Sequence, residues 1–234
     1  MLDLGQTRFH LAIPGGAGDT LESLSIGLFD EWEDYVDQTL TLSDYSLFLQ
    51  IDEGSINGLG KIAVRADVLV KTIALYGSFF YGLEIIGLQL GDGRDFLAEQ
   101  ARRTFACPAD KAINQKKGGS PAYLKGLFTQ VQSGHLTVDE AVLRAQRYFL
   151  QQGDDAIGLV AALEGAFRDC QKRPVQLPLP LEAPNETLIP QSTPRNLPRQ
   201  PNPKAPQIPV GLKSRVGVWR DSKQKRKNSK ISLI

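Results

Sequence analysis

Five cations fall within eight residues, at Lys223, Lys225, Arg226, Lys227 and Lys230. A run of that density neutralises phosphate backbones or acidic surfaces, and Trp219 just ahead of it offers a ring that can stack on a base. Arg195, Pro198 and Pro201 fit the Arg-x-x-Pro-x-x-Pro spacing that SH3-type grooves read in an extended proline helix; a semi-rigid spacer satisfies the same residues. Negative charge is concentrated at Asp30, Glu31, Glu33, Asp34 and Asp37. Of these, Asp30, Glu31, Asp34 and Asp37 form a candidate acidic docking face, open to a partner or to the chain's own basic segment. The cluster lacks the loop spacing and turn glycine of a calcium site.

Covalent chemistry has weaker candidates. Gly15-Gly16-Ala17-Gly18 stands between a predicted strand and a predicted helix, where a phosphate loop would sit. Neither GxxxxGK[ST] nor a full GxGxxG is present, and Asp19 and Glu22 put negative charge where the helix dipole would hold phosphate. A plain turn is expected. Glu53, in the polar group Asp52-Glu53-Gly54-Ser55, could act as a base with Lys61 beside it; an acidic turn accounts for the same residues. His10 and His135 have no nucleophile or orienting acid at a useful spacing. Cys107 and Cys170 have no metal-ligand spacing and read as free thiols in a reducing cytoplasm. The opening residues carry neither a basic start nor an apolar run, so no signal peptide is expected. No catalytic residue, metal ion or cofactor is predicted.

The elements that must position these residues divide by charge. The chain has 234 residues and a formal net charge of +1, but residues 1–170 carry a net −9 and residues 171–234 a net +10. Eleven of the 14 prolines fall after Gln171. A stretch so rich in proline and poor in periodic apolar residues cannot offset its ordering entropy, so residues 172–234 are expected to form a disordered, proline-rich basic tail. Within it, Arg215 to Arg220 reads as a short strand-like island. Deleting the tail is expected to leave the body folded.

For the body, alternation over Thr7–Ile13 predicts a strand, and Leu21, Leu24, Leu28, Trp32 and Tyr35 recur at helical spacing. Tyr45–Ile51 and Leu59–Val64 read as further strands. The turn between them is expected at Asn57-Gly58, with Gly54 as the alternative. A helix from about Asp67 to Leu90 follows, stopped by Gly91-Asp92-Gly93, then a short helix over Asp95–Phe105. Val68–Leu90 is mostly apolar, but its charge-free run between Lys71 and Glu84 is too short to span a bilayer, so no transmembrane segment is predicted; contact with a membrane surface stays open. The result is an α+β fold: a β-α-β-β-α module over 1–106, a linker over 107–119, a three-helix bundle over 120–171 and the tail. Thr137 and Glu140 form a capping box in the bundle.

Leu124–Phe149 (LKGLFTQVQSGHLTVDEAVLRAQRYF) runs from an apolar helix through a glycine turn and Leu-Thr-x-x-Glu into a second apolar helix. It resembles the short helical hairpins called SHOCT domains, which implies oligomerisation or tethering to other domains. These readings favour a non-catalytic adaptor or assembly protein that self-associates or docks a protein partner through its body and reaches a second partner with its tail. The alternative is a nucleic-acid-associated protein that grips phosphate through the basic cluster.

Overall fold

The computed structural model describes residues 1–14, 18–151, 157–170 and 213–234. In chain order the elements are β1 (Leu2–Pro14), α1 (Gly18–Thr39), β2 (Ser46–Asp52), β3 (Ser55–Val64), α2 (Ala66–Ala74), α3 (Phe79–Thr104), β4 (Ala112–Gly118), α4 (Ser120–Gln132), α5 (Val138–Gln151), α6 (Ile157–Arg168), β5 (Ser214–Arg220) and β6 (Asn228–Leu233). The six strands make one antiparallel sheet in the order β4-β1-β3-β2-β5-β6. The α+β class expected from the sequence is the fold. Strands β1 to β4 with their intervening helices have the split β-α-β arrangement, and the β5–β6 hairpin extends it beyond β2.

Strict alternation decides which sheet face is buried. Leu47, Leu49 and Ile51 of β2, Ile56, Ile62 and Val64 of β3, and Val216 and Val218 of β5 all point to the helix side. There they meet Leu21, Leu28, Phe29, Trp32 and Val36 of α1 and Leu83, Ile86, Leu90 and Leu97 of α3. Two glycines in β3 serve close packing. A Cβ on Gly58 would lie 1.9 Å from the Phe9 ring, and one on Gly60 would lie 2.2 Å from Leu97. Asn57-Gly58 therefore lies inside the strand, and the hairpin turns instead at Glu53-Gly54, where Gly54 has φ +114°.

Other expectations are corrected. Gly91-Asp92-Gly93 does not stop a helix; α3 runs through it, and the Trp32 indole donates to the Gly93 carbonyl at 3.1 Å. The break falls earlier, at Tyr76–Ser78, where Gly77 has φ +75° and the Ser78 hydroxyl caps α3 by accepting from the Tyr81 amide. No single helix among the described residues is long and apolar enough to cross a membrane. The adjoining α2 and α3 are bent by 111°, and Leu69, Ile73, Leu83, Ile86 and Leu90 of this pair are buried. Residues 107–119 are not a linker: Ala112–Gly118 pairs along β1 as an edge strand whose side chains are almost all exposed. A backbone ladder requires no apolar side chains, which is why composition concealed this strand.

The helical segment forms as expected over α4, α5 and α6. Phe128 of α4 lies against Phe79 and Phe80 of α3 and Phe167 of α6. Thr137 and Glu140 make the reciprocal cap: the Thr137 amide donates to Glu140 at 2.9 Å, and the Glu140 amide donates to the Thr137 hydroxyl at 3.3 Å. The largest correction concerns the end of the tail; its residues 172–212 lie outside the described residues. Residues 213–234 hold β5 and β6, and Met1–Arg173 and Leu212–Ile234 belong to one compact unit. Val216 and Val218 have too few neighbours in sequence to form a core, and they find one on the outer edge of β2. Truncation at Arg173 would remove that pairing, so the body left behind is expected to be destabilised rather than unaffected.

Gly58→Ala is expected to cost about 1–3 kcal/mol through overpacking against Phe9. Gly27→Ala, on an exposed helix position with open space around it, should gain up to about 1 kcal/mol. Thermal denaturation followed by circular dichroism separates the two.

Candidate interaction surface

The acidic helix and the basic segment meet. Residues 221–227 connect β5 to β6 and lie against α1 and the start of β2. The Arg220 guanidinium sits 2.7 Å from the Glu33 carboxylate and 3.8 Å from Asp37, with the Arg220 and Glu33 side chains only 13% and 14% exposed. Their facing atoms are off hydrogen-bond alignment, so the pair is held by charge rather than by a directed bond. Lys223 pairs with Asp37 at 3.0 Å, and Lys227 pairs with Asp30. Asp44 caps the loop, accepting from the Ser222 hydroxyl at 2.8 Å and the Lys223 amide at 2.9 Å. At the hairpin's other end the Ser214 amide donates to Glu53 at 2.8 Å, and Arg215 pairs with Asp52 at 2.6 Å.

This geometry redistributes the candidate residues. Asp30 and Asp37 of the acidic face are engaged by the chain's own loop. Glu31 accepts from Gln100 of α3, and Asp34 is exposed. Lys223 and Lys227 are committed to α1, while Lys225, Arg226 and Lys230 have no acidic partner among the described residues. Trp219 is half-buried within β5, opposite Phe48 of β2 and Asn228 of β6. Arg195, Pro198 and Pro201 lie outside the described residues, as does the glycine turn at 15–17. Glu33, more enclosed than Asp30 or Asp37, was visible in the sequence as part of the acidic run. Its specific role required knowing that Arg220 lies across from it.

The acids around the hairpin are perturbed in opposite directions. Burial pushes Glu33 above the ordinary value of 4.5; Arg220 opposes this, and Asp37 and Asp30 add to it. Burial also pushes Asp37 up, but hydrogen bonds from Tyr45 and Lys223 and the charges of Lys223 and Arg220 outweigh it, leaving Asp37 below 3.8. The Tyr45 hydroxyl is raised by burial and by Asp37. Hydrogen bonds from Ser214 lower Glu53.

Glu53 and Lys61 do not come together. Glu53 ties the β2–β3 turn to β5, whereas the Lys61 ammonium lies 5.9 Å from the Phe48 ring centre. His10 bonds Asn57 at 2.8 Å and His135 bonds Ser133 at 2.7 Å, each on an exposed surface. A cleft of about 440 Å³ lies between α3 and α4, but its Lys125 and Glu84 pair with each other at 2.8 Å. Cys107 is buried and Cys170 half-buried, both as free thiols.

Among the described residues, two exposed surfaces stand out. One is β6, every residue of which is exposed. The other is the sheet face opposite the helices. No protein-family model matches the chain, and none of the curated proteins or solved structures does.

Arg220→Ala leaves Glu33 enclosed without its cation and is expected to cost about 3 kcal/mol, whereas Glu33→Met with Arg220→Met should lie closer to wild type. Chemical denaturation of the three proteins tests this. Because Asp37 is depressed, its contribution is present above its unfolded value of 3.8 and is lost as the pH falls through the folded value. Glu33 has the opposite sign: protonating it favours the folded state. The hairpin should therefore stay docked on acidification to about pH 4 and release below it. The Trp219 indole resonance reports the release, and Asp37→Asn should reduce the pH dependence, leaving the share carried by Glu53.

Proposed function

We propose that the chain is a non-catalytic assembly protein or adaptor whose body pairs with a second copy along β6. The observation that supports this reading is the edge itself. Opposite residues on antiparallel strands share a face, so Ile231 and Leu233, opposite Val216 and Ser214, lie on the helix side of the sheet. Helix α1 packs over β2 and β5, yet Ile231 and Leu233 remain 41% and 68% exposed, beside a strand edge that pairs with no other strand among the described residues. An edge of this kind is a template for another strand. The helical hairpin α4–α5 adds support through its resemblance to SHOCT domains, a family associated with oligomerisation.

β6 is self-complementary in one register. Placing Ile231 opposite Ile231 of a second copy across a two-fold axis sets Ser229 against Leu233 and Lys230 against Ser232. The two lysines then stand diagonally rather than directly opposite each other, and the backbone ladder continues across both sheets. The proline-rich stretch with Arg195, Pro198 and Pro201 is the element that would engage a second, SH3-type partner in the adaptor reading.

Sedimentation equilibrium tests the pairing. The wild-type mass is expected to rise with concentration from 25.7 kDa toward twice that value. Ile231→Lys with Leu233→Lys should hold it at the monomer value with the circular dichroism spectrum unchanged. A wild-type protein that stays monomeric at its highest soluble concentration would overturn the reading.

A further inference from the structure

The helix-free face of the sheet is built from the side chains that alternate with the core. Register places Lys117, Gln6, Lys61, Phe48, Trp219 and Asn228 in one row across β4, β1, β3, β2, β5 and β6. Five strand spacings make that row about 24 Å long. The neighbouring row includes Arg8, Leu59, Gln50, Gly217 and Lys230. Phe48 and Trp219 are thus cross-strand neighbours, both half-buried, with the Lys61 ammonium over the Phe48 ring.

Charge on this face is unbalanced. Arg8, Lys61, Lys117 and Lys230 have no acidic partner among the described residues, and Asp52 is taken by Arg215. Asp3 lies at the margin, bonded to the Gly5 amide and the Gln6 side chain. Gly217 adds a gap. A Cβ there would touch nothing closer than the Lys230 carbonyl oxygen at 3.9 Å, so the space between Trp219 and Arg215 on β5 is open. A sheet face with two adjacent rings, a gap beside one of them and four cations that lack an acidic partner among the described residues has the chemistry that holds unpaired bases and their phosphates. Rings accept any base face, and cations follow the backbone. Duplexes hide their base faces, and an anionic membrane offers nothing for the rings to stack on.

We propose that this face binds single-stranded nucleic acid, with Trp219 and Phe48 stacking on bases and Arg8, Lys61, Lys117 and Lys230 contacting phosphates. The site shares Lys230 with the β6 strand but lies on the sheet face away from Ile231 and Leu233, and it does not depend on pairing along that edge. It also differs from the basic loop, whose Lys223 and Lys227 are held by α1.

The test is fluorescence anisotropy with labelled oligo(dT) and oligo(U), with phosphatidylserine vesicles as a second arm. Four phosphate contacts predict that log affinity falls against log salt with a slope of about −3. Arg8→Ala with Lys61→Ala should bring the slope to about half that value. Trp219→Ala should weaken binding about 5- to 150-fold and Trp219→Phe far less. Gly217→Val, which the open space accommodates, should fold and still weaken binding by closing the gap. Three results would overturn the proposal: no oligonucleotide binding at low salt, binding insensitive to Arg8 and Lys61 but lost in Lys225→Ala with Arg226→Ala, or binding to the vesicles alone. Ile231→Ser with Leu233→Ser, which removes the apolar pairing residues without adding charge, should bind the oligonucleotides as wild type does, which separates failure here from failure of self-pairing.

Discussion

The backbone groups along a strand's outer edge must find either water or another strand, and in this chain β2 takes another strand. Leu47, Leu49 and Ile51 place it in the core, and β3 satisfies one edge only. The second edge is completed by β5, more than 150 residues later in the sequence, with Asp52 pairing Arg215 across the register. Such a closure is affordable because its entropic cost rises only with the logarithm of the loop length. Val216 and Val218 then extend the core one strand further, and the hairpin they belong to becomes part of the fold.

The same closure explains the charge pattern. A nearly neutral chain divided into an acidic body and a basic tail suggests a tail available to partners. Much of that opposition is instead resolved internally, at Arg220 with Glu33, Lys223 with Asp37 and Lys227 with Asp30. Enclosing Arg220 and Glu33 costs desolvation that their attraction only offsets, so the pair contributes orientation more than net stability. It directs the loop onto α1 and fixes which edge of the hairpin faces outward. Among the described residues, the cations without an acidic partner include Lys225 and Arg226 and those on the open sheet face.

Several local features were legible in the sequence because their causes are local. The capping box at Thr137 and Glu140 depends on four consecutive residues, and the strand at Ser46–Asp52 depends on its own alternation. The three helices of the 120–170 region follow from their apolar spacing. The turn at Gly54 was harder to read, since Asn57-Gly58 carries the stronger turn signal. Gly58 is there because the Phe9 ring needs the space above it, a demand set by a residue from another strand. The continuous helix through Gly91-Asp92-Gly93 has a similar cause: packing against α1, including the bond from Trp32, outweighs the low helix propensity of two glycines.

The candidate surfaces divide in the same way. The residue types in the sequence determined that an acidic helix and a basic, tryptophan-bearing segment exist, and that the thiols and histidines lack the spacing of a metal site. Only the tertiary structure decided that the helix and the segment neutralise each other. It also decided that β4 and β6 close the two ends of one sheet, and that Trp219 stands beside Phe48 among Arg8, Lys61 and Lys230. The physical reason is range. Turn, cap and periodicity signals act over a few residues, whereas strand pairing and charge compensation depend on which distant segments share an edge, and no short window of sequence contains both partners.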